Sequence, residues 1–326
     1  MTEPVVDVGV VTWNTRDLTV QALRALLDDQ DDCTIRLLVH DNGSTDGTVE
    51  AIARDVPEAE VEAGGVNLGF GAGMNQLIAR GRAEWFFALN SDAWPRRGAL
   101  RRMVEEAERR PRAAAVAPRL ERPDGSLEFS THPFPSIRIA ALTAVGAERW
   151  MSRERAAELL LEGYWTHDVA RPVDWAIGAA LLMRRSALDQ VGGFDPQFFM
   201  YAEDVEWCWR AARAGWEIRF EPEAVVCHVG NASGAMGYGR RRTIAYLRNT
   251  HRFYRGAHGP ISALAYRLLC LTGSARLYVA ARARRDRSAA SFWADHVRAH
   301  LRPIGGPDGP PTGAGSAVRA DEPLDP

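Results

Sequence analysis

Short, nearly unbroken apolar runs recur through the first third of the chain, and the segments between them carry apolar residues at helical spacing. The runs are Val5–Trp13, Ile35–His40, a brief one near Val61, Trp85–Leu89 and Ala113–Ala117. Runs of this length with few polar interruptions read as strands buried on both faces. Between them, Leu18–Leu27, Thr45–Arg54, Met74–Arg80 and Ala99–Arg109 predict helices. Strand and helix in alternation, joined by short connections, predict an α/β protein with a mostly parallel central sheet covered on both faces. Such sheets bind ligands where the carboxyl ends of their strands release the loops. Chemistry is therefore expected just after Trp13, His40, Val61 and Leu89.

The pattern loosens over Arg119–Pro172, where PDGS and HPFPS mark turns. It sharpens again with an apolar run from Val173 to Met183, a helix over Ser186–Val191 and a turn at Gly192–Pro196. A helix over Asp204–Ala214 follows, then two short strands at Trp216–Phe220 and Ala224–His228. Residues 240–302 read as helical throughout. The Pro/Gly-rich stretch 303–326 predicts a disordered tail.

Composition narrows the class. Of 326 residues, 46% are hydrophobic and 25% charged, which excludes a wholly disordered chain, a collagen-like repeat and a multi-span membrane protein. The formal charge is −2 and every cation is arginine. No global basic field exists to draw in nucleic acid, so none is expected as a partner. Cys33, Cys208, Cys227 and Cys270 are scattered without a CxxC pair, which suits a reducing compartment. The opening MTEPVVDVGVVTW carries no basic stretch of the signal-peptide kind. A cytoplasmic location is the expectation. Within 240–302 the longest apolar stretch, Ile261–Leu271, is interrupted by Arg267, and a bilayer span needs ~20 apolar residues. Arginines interleaved there with Tyr246, Phe253, Leu268 and Trp293 fit amphipathic helices on an anionic membrane surface, or helices packed on the rest of the protein with a solvated basic face.

Several polar residues fall where the sheet places ligands. Asp41, in HDNGSTDG, either closes a tight turn or accepts hydrogen bonds from a base or ribose. The loop Asn67–Gly73 is glycine-rich and opens a helix, which allows close backbone approach to a phosphate or sugar. Its GxGxG spacing after the third strand is not the dinucleotide fingerprint. Asn90-Ser91-Asp92 follows the most hydrophobic strand, where a carboxylate suits Mg²⁺ or Mn²⁺. Glu203 and Asp204 precede a helix, either to stabilise its positive end or to take a proton from a bound hydroxyl. His228 ends a strand, as a structural residue or as a ligand beside Asp92.

Taken in order, these segments resemble the inverting family 2 glycosyltransferases of GT-A fold, in particular their bacterial rhamnosyltransferase-like branch. The resemblance runs through VVTWNTRD, DNGSTDGT, NLGFGAGMNQ, FALNSDAWP, the long AIGAALLMRRSALDQVGGFDPQFFMYAEDVEWCWRAARAGW, HVGNAS and Tyr246-Leu247-Arg248-Asn249. It covers most of Val5–Asn249. It implies a Rossmann-like GT-A domain over 1–239, with a donor-binding part over about 1–120 and an acceptor-binding part over about 173–239, followed by the helical region 240–302. It also implies that Thr12, Asp41, Asn67, Gly69, Gly71 and Asn90 serve the nucleotide-sugar donor. Asp92 and His228 would bind the divalent metal, with Asn90 standing where a first carboxylate is common. Asp204 matches the catalytic base, with Glu203 beside it. Gly178 falls where the acceptor approaches, with Asp174 and Trp175 as sugar contacts. The implied donor is dTDP-rhamnose first, UDP-galactofuranose or a UDP-hexose next. The implied acceptor is a polyprenol-linked cell-wall or polysaccharide glycan, or else a soluble natural product. A nicotinamide oxidoreductase would need GxGxxG where the chain has TWNTRD. A sugar-binding protein without chemistry would have no need of Asp92, Asp204 and His228 together.

Overall fold

The computed structural model describes residues 5–28, 33–160, 165–230 and 242–302. Strand β1 (Val5–Thr12) lies at the heart of the sheet, parallel to β2 (Thr34–Asp41) on one side and to β4 (Trp85–Asn90) on the other. The register pairs Thr12 with Asp41 and Val11 with Asn90, so the three strands end level and release their loops on one side. The short β3 (Glu60–Ala63) extends this parallel half beyond β2.

Beyond β4 the sheet turns mixed. Strands β5 (Ala93–Pro95) and β6 (Ala113–Glu121) come next along the chain. Two hairpin-sized strands follow, β7 (Leu127–Glu128) against the end of β6 and β8 (Thr131–His132) against β10 (Trp175–Ala176). Strand β9 (Arg171–Val173) borders β12 (Glu217–His228). Strand β11 (Ala180–Arg184) runs antiparallel between β4 and β6, and β12 runs parallel to β6. The sheet order is β3-β2-β1-β4-β11-β6-β12-β5.

The period-2 alternation of β1 explains the two core layers. Val6, Val8 and Val10 face Leu23, Ile52 and Met103 on one side. On the other, Met74, Leu77 and Phe86 join Trp207 and Phe220. Gly9 is required in that second layer, because a Cβ there would sit 2.4 Å from Phe86 Cζ. Asp7, a charge inside the strand, is structural: its Oδ2 accepts from the Ala83 N–H at 2.7 Å, with Arg185 at 3.8 Å.

Three elements differ from the sequence pattern. The run Val173–Met183 is divided among β9, β10 and β11, because Asp174 turns out to accept from the Phe134 N–H, and Ile177 N–H and Ala179 C=O bond to Ser130 and Asn90 instead of continuing one ladder. The two strands predicted after Trp216 are one, β12, with a register shift between Glu221 and Val225. The helix predicted from Thr45 begins at Thr48, since Gly47 is left-handed (φ 82°) and Asp46 accepts from the Thr48 N–H.

Arg242–Ala283 is helical with a break at Gly259 (φ 80°), just before Pro260. Its second half packs against the helices Arg287–Leu301 and Ile137–Val145. The close approach to the latter is set by Gly273 against the Ala144 backbone, and Arg276 caps it through the Thr143 and Ala144 carbonyls. The predicted tail from Pro303 and the junction at 239/240 lie outside the described residues.

Candidate active site

A cleft of about 750 Å³ opens at the carboxyl ends of β1, β2 and β4, as the strand order requires. Asn90, Ser91 and Asp92 line it immediately after β4. His228 reaches the same wall because the short β5 pairs with the end of β12, setting His228 opposite Ala93. His228 Nε2 stands 3.4 Å from Asp92 Oδ1 and 3.3 Å from the Asn90 amide nitrogen. Its Nδ1 lies 2.8 Å from Glu128 Oε2. Burial disfavours a charged ring, but hydrogen bonds to Asp92 and Glu128 outweigh it and raise the His228 pKa to about 9.

That electrostatic balance bears on a metal. Two carboxylates around one imidazole make a spot that favours positive charge. Among the described residues, no group of three or more His, Cys, Asp or Glu side chains is placed to hold a metal ion unaided. Asp92 and His228 would offer such an ion one carboxylate and one imidazole, leaving phosphate and water oxygens to complete its shell. This fits Mg²⁺ or Mn²⁺, which rarely sit in all-protein cages when they serve phosphates.

Glu128 is the residue that sequence reasoning missed here. It sits in a two-residue strand within the stretch that showed no periodicity, and only the β6–β7 pairing brings it to His228. A carboxylate on the far nitrogen of a metal-ligating histidine fixes its tautomer and orientation. Glu128→Gln is expected to weaken Mn²⁺ affinity by about 10- to 100-fold with little loss of fold stability; titration calorimetry with a melting curve checks both. Behind Ser91 lies a second unforeseen feature, a buried hydroxyl cluster. Thr15 Oγ1 meets Ser91 Oγ at 2.9 Å and Thr12 Oγ1 at 3.0 Å, and Thr19 closes the group at 2.8 Å from Thr12. Thr12 lines the cleft while its hydroxyl is spent on this cluster.

The Glu203–Asp204 corner is built by backbone strain. Tyr201 (φ 69°) and Ala202 (φ 75°) are consecutive left-handed residues that turn the chain abruptly into the helix Glu203–Arg213. Asp204 then accepts from the Gly178 N–H at 3.0 Å on Oδ2 and from the Val205 N–H at 2.8 Å on Oδ1. Burial raises its pKa, and those two N–H donors pull back against the rise. Glu203 Oε2 is buried with no hydrogen-bond partner. Burial first, and the neighbouring Asp204 second, push the Glu203 pKa well up.

A raised folded-state pKa contributes stability that is fully present below the unfolded pKa and is lost as pH rises through the folded one. Glu203→Gln is accordingly expected to lose less stability than the parent as pH climbs from about 5 to 8 in urea melts. An unchanged pH slope would assign the dependence to another group.

The remaining nominated residues divide. Asn67, Gly69, Trp175 and Gly178 line the cleft. Gly69 (φ 85°) admits no side chain, since a Cβ would collide with the Phe199 carbonyl, the acceptor of the Phe70 N–H. Its constraint is thus the fit of the glycine loop against the 198–202 turn. Asp41, Gly71 and Asp174 lie outside the lining. Asp41 Oδ2 accepts from the Gly43 and Ser44 N–H groups, as a turn-closing residue does, while its Oδ1 is buried without a partner. Gly71 packs against Phe194 and Glu203. Trp175 stacks on His132 at 4.6 Å and donates Nε1–H to the Pro133 carbonyl. The C-terminal helices complete the mouth with Tyr246, Thr250, Phe292 and Asp295.

The family model described as Glycosyl transferase family 2 matches residues 7–192, over half of the chain. The chain belongs to glycosyl transferase family 2. A further family model, Glycosyl transferase family group 2, matches residues 138–296 of this family 2 chain and so takes in the C-terminal helices. The N-acetylglucosaminyl-diphospho-decaprenol L-rhamnosyltransferase of Mycobacterium tuberculosis is 36% identical over 205 residues, 60% of this chain and 66% of that protein. The match thus spans just under two thirds of that relative. The pre-mycofactocin glycosyltransferase of the same species is 32% identical over 157 residues, 48% of this chain and 29% of that protein. Among solved structures, the mannosyltransferase PcManGT of Pyrobaculum calidifontis, solved with GDP-Man and Mn²⁺, superposes with a TM-score of 0.57. That superposition covers 93% of this chain and 82% of the other at 19% identity. It shows the expected GT-A fold, with the mostly parallel sheet and the C-terminal helical region.

Proposed function

We propose that this family 2 chain is an inverting glycosyltransferase that moves a sugar from a nucleotide diphosphate to a hydroxyl of a lipid-linked glycan. L-Rhamnose from dTDP-rhamnose is the donor of choice; UDP-galactofuranose and UDP-hexoses rank behind it. One observation carries the reading. A carboxylate clamped by two backbone N–H groups, Asp204, shares a single cleft with the Asp92–His228 pair. The rhamnosyltransferase relative supports the sugar and the polyprenyl acceptor, since its name specifies both.

The chemistry follows from the residues. The two N–H donors each occupy one lone pair of Asp204 and leave the others able to accept the proton of an acceptor hydroxyl. As that proton passes to Asp204, the acceptor oxygen bonds to the anomeric carbon and the bond from that carbon to the phosphate oxygen breaks. Direct displacement inverts the centre. Mg²⁺ or Mn²⁺ at Asp92 and His228 would offset the charge of the departing diphosphate. Glu128 holds His228 in place, and the Thr15–Ser91 contact steadies the loop before Asp92. Burial raises the pKa of both Glu203 and Asp204, and the two N–H donors that hold down the Asp204 value favour Asp204 as the charged partner.

Melting curves against a panel of nucleotide sugars, with Mn²⁺ and then with EDTA, test the reading. A ligand at 100 times its Kd stabilises by about 2.7 kcal/mol. One donor giving a metal-dependent shift supports the assignment. A folded protein indifferent to every nucleotide and donor would sink it.

A further inference from the structure

We propose that the outer face of the helix following the Gly259–Pro260 break is a docking surface for an anionic lipid bilayer. Ile261, Leu264, Leu268 and Val279 are 86%, 58%, 54% and 64% exposed. At 100° per residue these four fall on a single stripe. Ala265, Thr272 and Ala275 occupy the positions between, so no charge interrupts it for about five turns, roughly 27 Å. The other faces of this helix are taken. Ser274 meets His300 of the last helix, Gly273 lies on Ala144, and Ala263 and Ala281 are buried.

Charge identifies the occupant. From Arg242 to Arg302 there are twelve arginines and two carboxylates, although the whole chain carries −2. Both carboxylates are engaged: Asp286 caps the last helix through the Ala289 N–H, and Asp295 pairs with Arg298 at 2.6 Å. Exposed Arg282, Arg284, Arg285 and Arg287 gather at one end of the stripe, and exposed Arg255 lies near the other. An apolar stripe ending in arginines matches acyl chains bordered by anionic headgroups. A second copy packed symmetrically on the same stripe would set those arginines against one another. The chain's own tail is a poor cover, since 303–326 offers only Ile304, Val318 and Leu324 as large aliphatic residues. No helix among the described residues is long and apolar enough to cross a membrane, so contact through this face is lateral. The same kinked helix carries Tyr246 and Thr250 into the cleft mouth, so docking extends the lipid-linked acceptor reading by bringing the cleft to the surface where such an acceptor resides.

Co-sedimentation of the full chain with phosphatidylcholine vesicles, with and without ~30% phosphatidylglycerol, tests this at about 0.1 M salt. The expected result is binding at least tenfold stronger with the anionic lipid, released by high salt. The double variant Leu264→Ser, Leu268→Ser should lower that binding at least tenfold while keeping the parent's melting curve and donor-induced shift. The donor shift reports on the transfer reading separately, so the failure of either is recognisable. Docking is overturned if the parent stays in the supernatant with anionic vesicles, or if the variant binds them as well as the parent. A concentration-dependent dimer that the double variant abolishes would also overturn it and assign the stripe to a second copy.

Discussion

Asp204→Asn is expected to lower kcat by about 100- to 10,000-fold, the range that a general base contributes, while the donor still shifts the melting curve. The reason lies in the substitution's shape. Asparagine keeps an oxygen for the Gly178 or Val205 N–H and fills the same space, so the turn at Tyr201–Ala202 and the helix behind it are retained. What it loses is the ability to hold the acceptor's proton. The loss belongs in kcat, because the base acts once both substrates are bound. Stopped transfer with an intact donor-induced shift is the signature. A variant turning over within a few-fold of the parent would move the base elsewhere.

The second large effect is expected at the other end of the cleft. Asp92→Ala should remove both the Mn²⁺ response and most of the turnover, by about 100- to 1,000-fold if several kcal/mol of leaving-group stabilisation are lost. EDTA should bring the parent to the same level and leave the variant where it is. The Asp204 and Asp92 variants thus separate by ligand. One keeps the metal-dependent donor shift without transfer, the other loses the shift itself. An Asp92→Ala protein that still answers to EDTA would show that the metal is held without this carboxylate.

The first half of the fold was legible because buried parallel strands have no polar face. Val5–Trp13 and Trp85–Leu89 announce themselves as apolar runs, and the polar residue that ends each must then face the loops. Asp92 stands just past such a strand, where that logic expects a ligand-binding residue, and it lines the cleft. Elements that depend on distant partners were hidden. Nothing in Leu127-Glu128 distinguishes it from other turns, yet its pairing with β6 delivers the carboxylate that orients His228. The Val173–Met183 run hides its breaks because both sides of Asp174 are apolar, and the partners that divide it, at Phe134, Ser130 and Asn90, are distant in sequence. The sequence marks Gly69 as a point of close approach, but the Phe199 carbonyl that fills the space of its missing side chain lies 130 residues away and is visible only in the fold. The apolar stripe at Ile261–Val279 could not be told from a core face, since periodicity marks a side of a helix without saying what covers it.

The stereochemistry of transfer tests the central claim most directly. Incubated with dTDP-rhamnose, Mn²⁺ and a diphospho-polyprenyl N-acetylglucosamine, the protein should yield a glycoside whose anomeric configuration, read by NMR, is opposite to that of the donor. A product of retained configuration would contradict direct displacement with Asp204 as base.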